Sequence, residues 1–481
     1  MNRGYSYITL TDFPGECLYE IFLYLKNDND SLFNYYALDI WLSYGLEYEY
    51  EPPTLRHVLS TEVYNLLFTH CKSLWNLRIG QWDDEYSVMD IAQIVRAPQT
   101  LSTLRHFELC GDFDWLTYED LDNLSNILTI MSHFTFDLQS LKIDMSLDED
   151  KCLLKRLRRL IKAQSALKSF TYSQKHGCVM DTKSIMTALT TQSKNLVNLV
   201  LDDIPLNMAC LKFLEKFNNL KTIQFMFCNI KSSEVNYCKD TGKLIDVVPD
   251  EDDAEGNGDE PWKLNVEKLV FLKNNFRQMT INLVKMTHTT LRELTVDRAT
   301  VELLTEITQR CVNLVYLAIG ISSIPIDELY RISSMKLEVL VIGWNLSNTE
   351  NIELSKEECE KLGKFLPTSL HHLYIDFPMT PSQLEVVLHN CVMPPIISLK
   401  FGLLDFEKCA IATLKRAKET NGFQEVRIVR PTLKAVTMIE KILQKERWEN
   451  SLIRMVGFGR IIGIKVGIER EEPFGACEIQ H

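Results

Sequence analysis

The residue types that most often perform chemistry are all present in this chain, but their spacing is wrong for it. His371 and His372 are adjacent, whereas joint metal ligation from a helix needs two histidines one turn apart. No HExxH, phosphate-loop or GxSxG pattern occurs. The stretch GFGRIIG from Gly457 has its third glycine one place late for a dinucleotide loop. Thirteen cysteines, an odd number with no CxxC pair, fit neither a disulfide framework nor a zinc ribbon. The segment DEDDAEGNGDE, residues 250–260, has seven acidic side chains in eleven positions. A calcium loop can be aligned there through Asp253, Glu255, Asn257 and Gly258. Its twelfth position is then Leu264, so the bidentate glutamate is missing. The expectation is a chain without catalytic residues, metal or cofactor, which works by binding.

Bulk properties narrow what it binds. At 481 residues the chain exceeds a single compact core, so it holds several domains or a repeat array. A net charge of −13 opposes non-specific contact with nucleic acid or an anionic membrane surface. No apolar run approaches the roughly 20 residues of a membrane-spanning helix. The opening MNRGYSYITL has no long apolar core of the signal-peptide kind. A reducing cytoplasmic or nuclear setting fits the cysteines best.

Something must position a binding surface, and a repeat supplies it. Apolar residues in L-x-x-L-x-L spacing recur at Leu74, Leu104, Leu138, Leu167, Leu196, Leu220, Val266, Leu291, Leu314, Leu337, Leu370, Ile396 and Phe423. These thirteen copies are spaced about 29 residues apart on average, within the range of leucine-rich repeats. Alternating apolar residues predict a strand with one buried face, and parallel strands need a crossover between them. The crossovers read as helices. Residues 117–131 carry Leu121, Leu124, Leu128 and Met131 on one stripe. Capping boxes are predicted at Ser355/Glu358 and Ser382/Glu385. Cys71, Cys311 and Cys391 precede strands and Cys228 follows one, as small apolar groups in a cysteine-containing repeat.

The fold class expected is therefore α/β: a leucine-rich-repeat solenoid of parallel strands and helices, about 13 repeats over residues 74–451. An acidic loop, 232–262, is inserted in its longest interval. Residues 452–481 form a C-terminal capping segment in which IIGIKVGI, 461–468, closes the sheet edge. In the helix at 151–162, KCLLKRLRRLIK, Leu153, Leu157, Leu160 and Ile161 form the apolar face. Its six basic residues then form a solvated face, a nuclear-import signal or a dock for an acidic partner.

Before the repeats, Leu18, Ile21, Phe22 and Leu25 fall on one face of a helix opened by Pro14. Periodicity alone makes this a cap for the solenoid. Phe13-Pro14, Glu16, Leu18, Ile21, Phe22 and Leu25 also follow, in order, the pattern that begins an F-box. With cysteine-containing leucine-rich repeats behind it, the chain resembles the F-box/leucine-rich-repeat family over nearly its whole length. The small helical F-box-like module occupies 8–48, with Trp41 in its shortened second half, and 49–73 is a connecting helical region.

The resemblance implies a non-catalytic substrate-recognition subunit, bridging a target protein to an SCF-type cullin–RING E3 ubiquitin ligase. Pro14, Leu18, Ile21, Phe22 and Leu25 would contact a Skp-family adaptor subunit, and the repeats would hold the unknown protein substrate. The alternative is a repeat scaffold without ligase association. In such repeats the residues flanking the second leucine face outward. Early copies offer a polar floor of Asn76, Arg78, His106, Glu108, Ser140 and Lys142. Later copies offer Tyr316, Val339, Val341, His372 and Tyr374, with Trp344 just beyond its strand, as substrate-binding candidates.

Overall fold

In a computed structural model, the described residues are 74–81, 98–111, 118–144, 151–173, 182–206, 212–230, 263–273, 277–343, 354–376, 379–400, 425–429 and 453–456, with scattered positions in 408–419. The module at 8–48, the connecting region 49–73, the loop 232–262, Cys71 and residues 461–468 lie outside them. The chain divides into two compact units, one through Val266 and one from Glu267 onward.

The first unit runs β1 (Asn76–Gln81), α1 (Pro98–Ser102), β2 (His106–Gly111), α2 (Tyr118–Phe134), β3 (Ser140–Asp144), α3 (Lys151–Ala163) and β4 (Ser169–Ser173). It continues with α4 (Thr182–Leu189), β5 (Asn198–Asp202), β6 (Pro205–Leu206), β7 (Thr222–Met226) and β8 (Asn229–Ile230). Strands β1 to β5 and β7 pair in chain order, all parallel. The short β6 and β8 pair separately.

The second unit holds β9 (Lys268–Leu272), α5 (Arg277–Thr287), β10 (Glu293–Val296), α6 (Val301–Arg310), β11 (Tyr316–Gly320) and β12 (Val339–Gly343). It goes on with α7 (Lys356–Phe365), β13 (His372–Asp376), α8 (Pro381–Asn390), β14 (Ile396–Lys400), β15 (Glu425–Val429) and β16 (Ile453–Val456). These eight strands are also parallel and in chain order. Each unit is thus an α/β layer of repeated strand–helix crossovers, an architecture compatible with a solenoid-like repeat.

The alternation of residue types explains the layers. In β3, Leu141 and Ile143 are fully buried while Ser140, Lys142 and Asp144 are half-buried. The same pattern recurs in β5 and β7. Helices supply the opposing apolar stripe: on α3, Leu153, Leu157, Leu160 and Ile161 are completely buried, as their spacing predicts. Buried glutamines tie successive turns together. Gln164 accepts from Leu138 N and donates to the Thr135 and Leu160 carbonyls, and Gln192 donates to the Ile161 and Gln164 carbonyls. These bonds satisfy backbone groups that helix ends leave orphaned.

Two local expectations are corrected. The twelfth motif copy, placed at Ile396, starts instead at Pro394, because Ile396 lies opposite His372, the third residue of its own copy. Ile397 is then fully buried, and Cys391 falls three residues before the copy, as Cys311 does before Leu314. The capping box of α8 uses Thr380 and Gln383, not Ser382 and Glu385, with Pro381 in the first helical turn. The box at Ser355 and Glu358 forms as expected.

The strand β16 extends the second unit's sheet into the expected capping segment. Asp203, Phe227 and Lys273, each seven residues after the start of its motif copy, all take a left-handed backbone near φ 50°. The chain leaves the sheet there by the same turn three times.

Candidate protein-recognition face

Parallel pairing in constant register lines up equivalent residues, so the outward side chains of each sheet form continuous rows. Adjacent strands lie about 4.8 Å apart, and a row of neighbours can therefore act as one surface. Two such rows alternate with the buried ladder.

In the second unit the first row runs Glu293, Tyr316, Val339, His372 and Ile396. The second runs Thr295, Ala318, Val341, Tyr374 and Ser398. Five of the six substrate-binding candidates are thereby brought together on three successive strands. Trp344 lies outside the described residues, as do Pro14, Leu18, Ile21, Phe22 and Leu25.

Their exposures differ. Tyr316, Val339 and Tyr374 are half-buried, whereas Val341 is buried at 4% exposure and His372 at 8%. Burial is the main cause that pushes the Tyr316 hydroxyl above its ordinary pKa; the Glu293 charge adds to it, and a hydrogen bond with Thr295 opposes it. That hydroxyl stays neutral at physiological pH. His372 Nε2 and Ser398 Oγ are hydrogen-bonded at 2.6 Å, and Ser398 is itself 2% exposed. His372 and Val341 therefore form the buried floor, while the two tyrosines and Val339 stay partly exposed above it. Sequence reasoning missed Ile396 and Ser398 in these rows because the twelfth copy was read two residues late. No sequence signal separates the two starts; the structure does, with Pro394 buried at the true one.

The first unit's outward rows are mostly polar, with Val200 an apolar exception. Arg78 Nε lies 3.4 Å from Glu108 Oε2, and Lys142 Nζ lies 2.6 Å from Glu108 Oε1, across β1, β2 and β3. Farther along the strands, Ser173 Oγ donates to Asp202 Oδ2 at 3.1 Å. Burial raises the Asp202 carboxyl to about 6, helped by the charges of Asp144 and Asp203 and opposed by the Ser173 bond. Asp202 thus bears its charge at a cost.

Buried thiols are inert. Desolvation pushes Cys228 and Cys311 up to about 12 and Cys391 to about 11, far from a reactive thiolate. Cys228 Sγ instead donates to the Leu201 carbonyl at 3.2 Å. Among the described residues no group of three or more His, Cys, Asp or Glu side chains could hold a metal ion. Among them, too, no helix is long and apolar enough to cross a membrane. Compared with known proteins, the chain matches no family model and no curated protein.

Proposed function

We propose that the chain is a substrate-recognition subunit that bridges a target protein to an SCF-type cullin–RING ubiquitin ligase. The observation that carries the binding half is the aromatic and aliphatic cluster of Tyr316, Val339 and Tyr374 over the buried Val341 and His372. Aromatic residues with a polar tip on a rigid sheet are the usual anchors of protein interfaces. The adaptor half rests on the resemblance of residues 13–25 to an F-box start. Ile21, Phe22 and Leu25 would each add about 1.5–3 kcal/mol on burial, less the ordering cost. The protein performs no bond chemistry. It raises the local concentration of its target beside the conjugating machinery.

The test is co-purification of purified Skp-family adaptor with three proteins: the full chain, a version lacking residues 1–50, and Phe22→Asp. The expected result is capture by the full chain alone, with the other two folded. Capture by none of them, or equal capture by Phe22→Asp, would sink the adaptor half and leave a repeat scaffold without ligase association.

A further inference from the structure

Helix α3 carries a second, electrostatic surface. Its buried side is the leucine stripe Leu153, Leu157 and Leu160 with Ile161. Its exposed side is the stripe Cys152, Lys155, Arg159 and Lys162, at i, i+3, i+7 and i+10, with Arg156 and Arg158 half-buried beside it. None of these five basic side chains forms an ion pair or hydrogen bond with another described residue, and Arg158 Nε is both buried and without such a partner. Several helical cations of the second unit, including the one on the short helix Ile326–Ser334, are instead paired. Lys285 and Arg310 pair with Glu306, Arg331 pairs with Glu328, and Lys361 pairs with Asp327 and Glu357.

Five cations on one helix, none paired with another described residue, suit an anionic occupant in a chain of net charge −13. We propose that this occupant is the chain's own acidic segment 250–260, docked across the exposed face of α3. The segment belongs to the 32 residues between Ile230 and Lys263, whose two ends lie in the same compact unit as α3. A coil of that length has an end-to-end reach of roughly 30 Å. Strand β3, from which α3 departs, is three strand steps from β7, about 14 Å. The tether is therefore long enough, and it supplies an effective concentration on the order of 1 mM. The seven carboxylates are opposite in sign to the five cations and outnumber them by two, and no base competes for them within 250–260.

The experiment measures binding of a synthetic peptide with the sequence of residues 250–260. It compares the full chain, a chain lacking 250–260, and that shortened chain carrying Lys155→Gln, Arg159→Gln and Lys162→Gln. If the free peptide binds α3 with a Kd of about 0.1 mM, the tethered copy weakens its binding to the full chain about tenfold. The shortened chain should then bind tenfold more tightly. The triple variant should lose that binding while unfolding at the same urea concentration, because all three side chains are exposed. Raising ionic strength to 1 M, where charges are screened beyond about 3 Å, should abolish it as well. Equal peptide affinity for full and shortened chains would overturn the proposal, as would binding that survives the triple change. Absence of peptide binding combined with equal binding of phosphatidylserine vesicles by both chains would overturn it too, assigning the face to a membrane surface.

Discussion

The two units have the same kind of buried ladder and differ in much of what faces away from it. Leu141 in β3 and Leu317 in β11 occupy the same motif position and are both completely buried. One residue farther along, the first unit has Lys142, paired with Glu108, and the second has Ala318, buried beside Val341. Inward positions are constrained by close packing, where even one methylene is felt. Outward positions need only tolerate an extended backbone, so they are free to become a charged floor in one unit and an aromatic patch in the other. Architecture and surface character are written on alternate residues of the same strand.

The largest expected effect tests the shared half of that comparison. Leu141→Ala and Leu317→Ala should each cost about 2–5 kcal/mol, by lost transfer energy and a residual cavity. Chemical denaturation followed by fluorescence would measure both. Losses that differed sharply would mean that the outward rows, not the ladder, set local stability. A smaller loss is expected on the helix side of the second unit. In an exposed helix Gly→Ala usually stabilises. At Gly363 of α7, however, an added Cβ would meet the Val387 carbonyl oxygen at 2.5 Å and Asn390 Cβ at 2.9 Å. Gly363→Ala should therefore destabilise, by about 1–3 kcal/mol, and a raised unfolding midpoint would show that α7 and α8 can move apart.

Next in size is the outward row that the second unit partly buries. Ser398→Ala removes the 2.6 Å bond to His372 Nε2 in a place where water replaces it poorly. A loss of about 1–2 kcal/mol is expected in thermal or urea unfolding. The corresponding change on the first unit's exposed floor, Lys142→Ala, should stay within about 0.5 kcal/mol, as surface ion pairs do. Equal effects at the two sites would erase the distinction between a packed patch and a solvated one.

How much of this was legible follows from the same distinction. The inward ladder announces itself because apolar residues must recur wherever a strand faces the core, and all thirteen motif copies lie on or beside strands. Register was less secure. At Ile396, Ile397 and Leu399, sliding the motif by two residues keeps the strand's alternation intact, so periodicity alone cannot separate the readings. Only the pairing of His372 with Ile396 decides. The cap of α8 was ambiguous in a similar way, since Thr380/Gln383 and Ser382/Glu385 both satisfy the box spacing. The preference of proline for the first helical position favours the former. Exposure along the outward rows was not legible at all. Val341 and Val339 are the same residue type two positions apart, yet one is buried and the other half-buried, because exposure depends on neighbours brought in by other strands. The F-box-like residues lie outside the described part, and their meaning rests on the resemblance.

The dependence of stability on pH is the most diagnostic test of the first unit's polar floor. Asp202 has its carboxyl raised from 3.8 to about 6, first by burial and then by Asp144 and Asp203. Below 3.8 the group is protonated in both the folded and the unfolded protein and contributes nothing. Between 3.8 and 6 the unfolded chain releases its proton first, so stability falls as the pH rises through that window. Above 6 the full cost of a buried charge is present. Asp202→Asn removes the charge and keeps an oxygen able to accept from Ser173. It should therefore stabilise the protein at pH 7, on the order of 1–2 kcal/mol, and change little at pH 4. Urea midpoints at the two pH values would measure this. An equal gain at both would mean that shape and not charge is what Asp202 costs, and the first unit's floor would then be as much a packing surface as the second's.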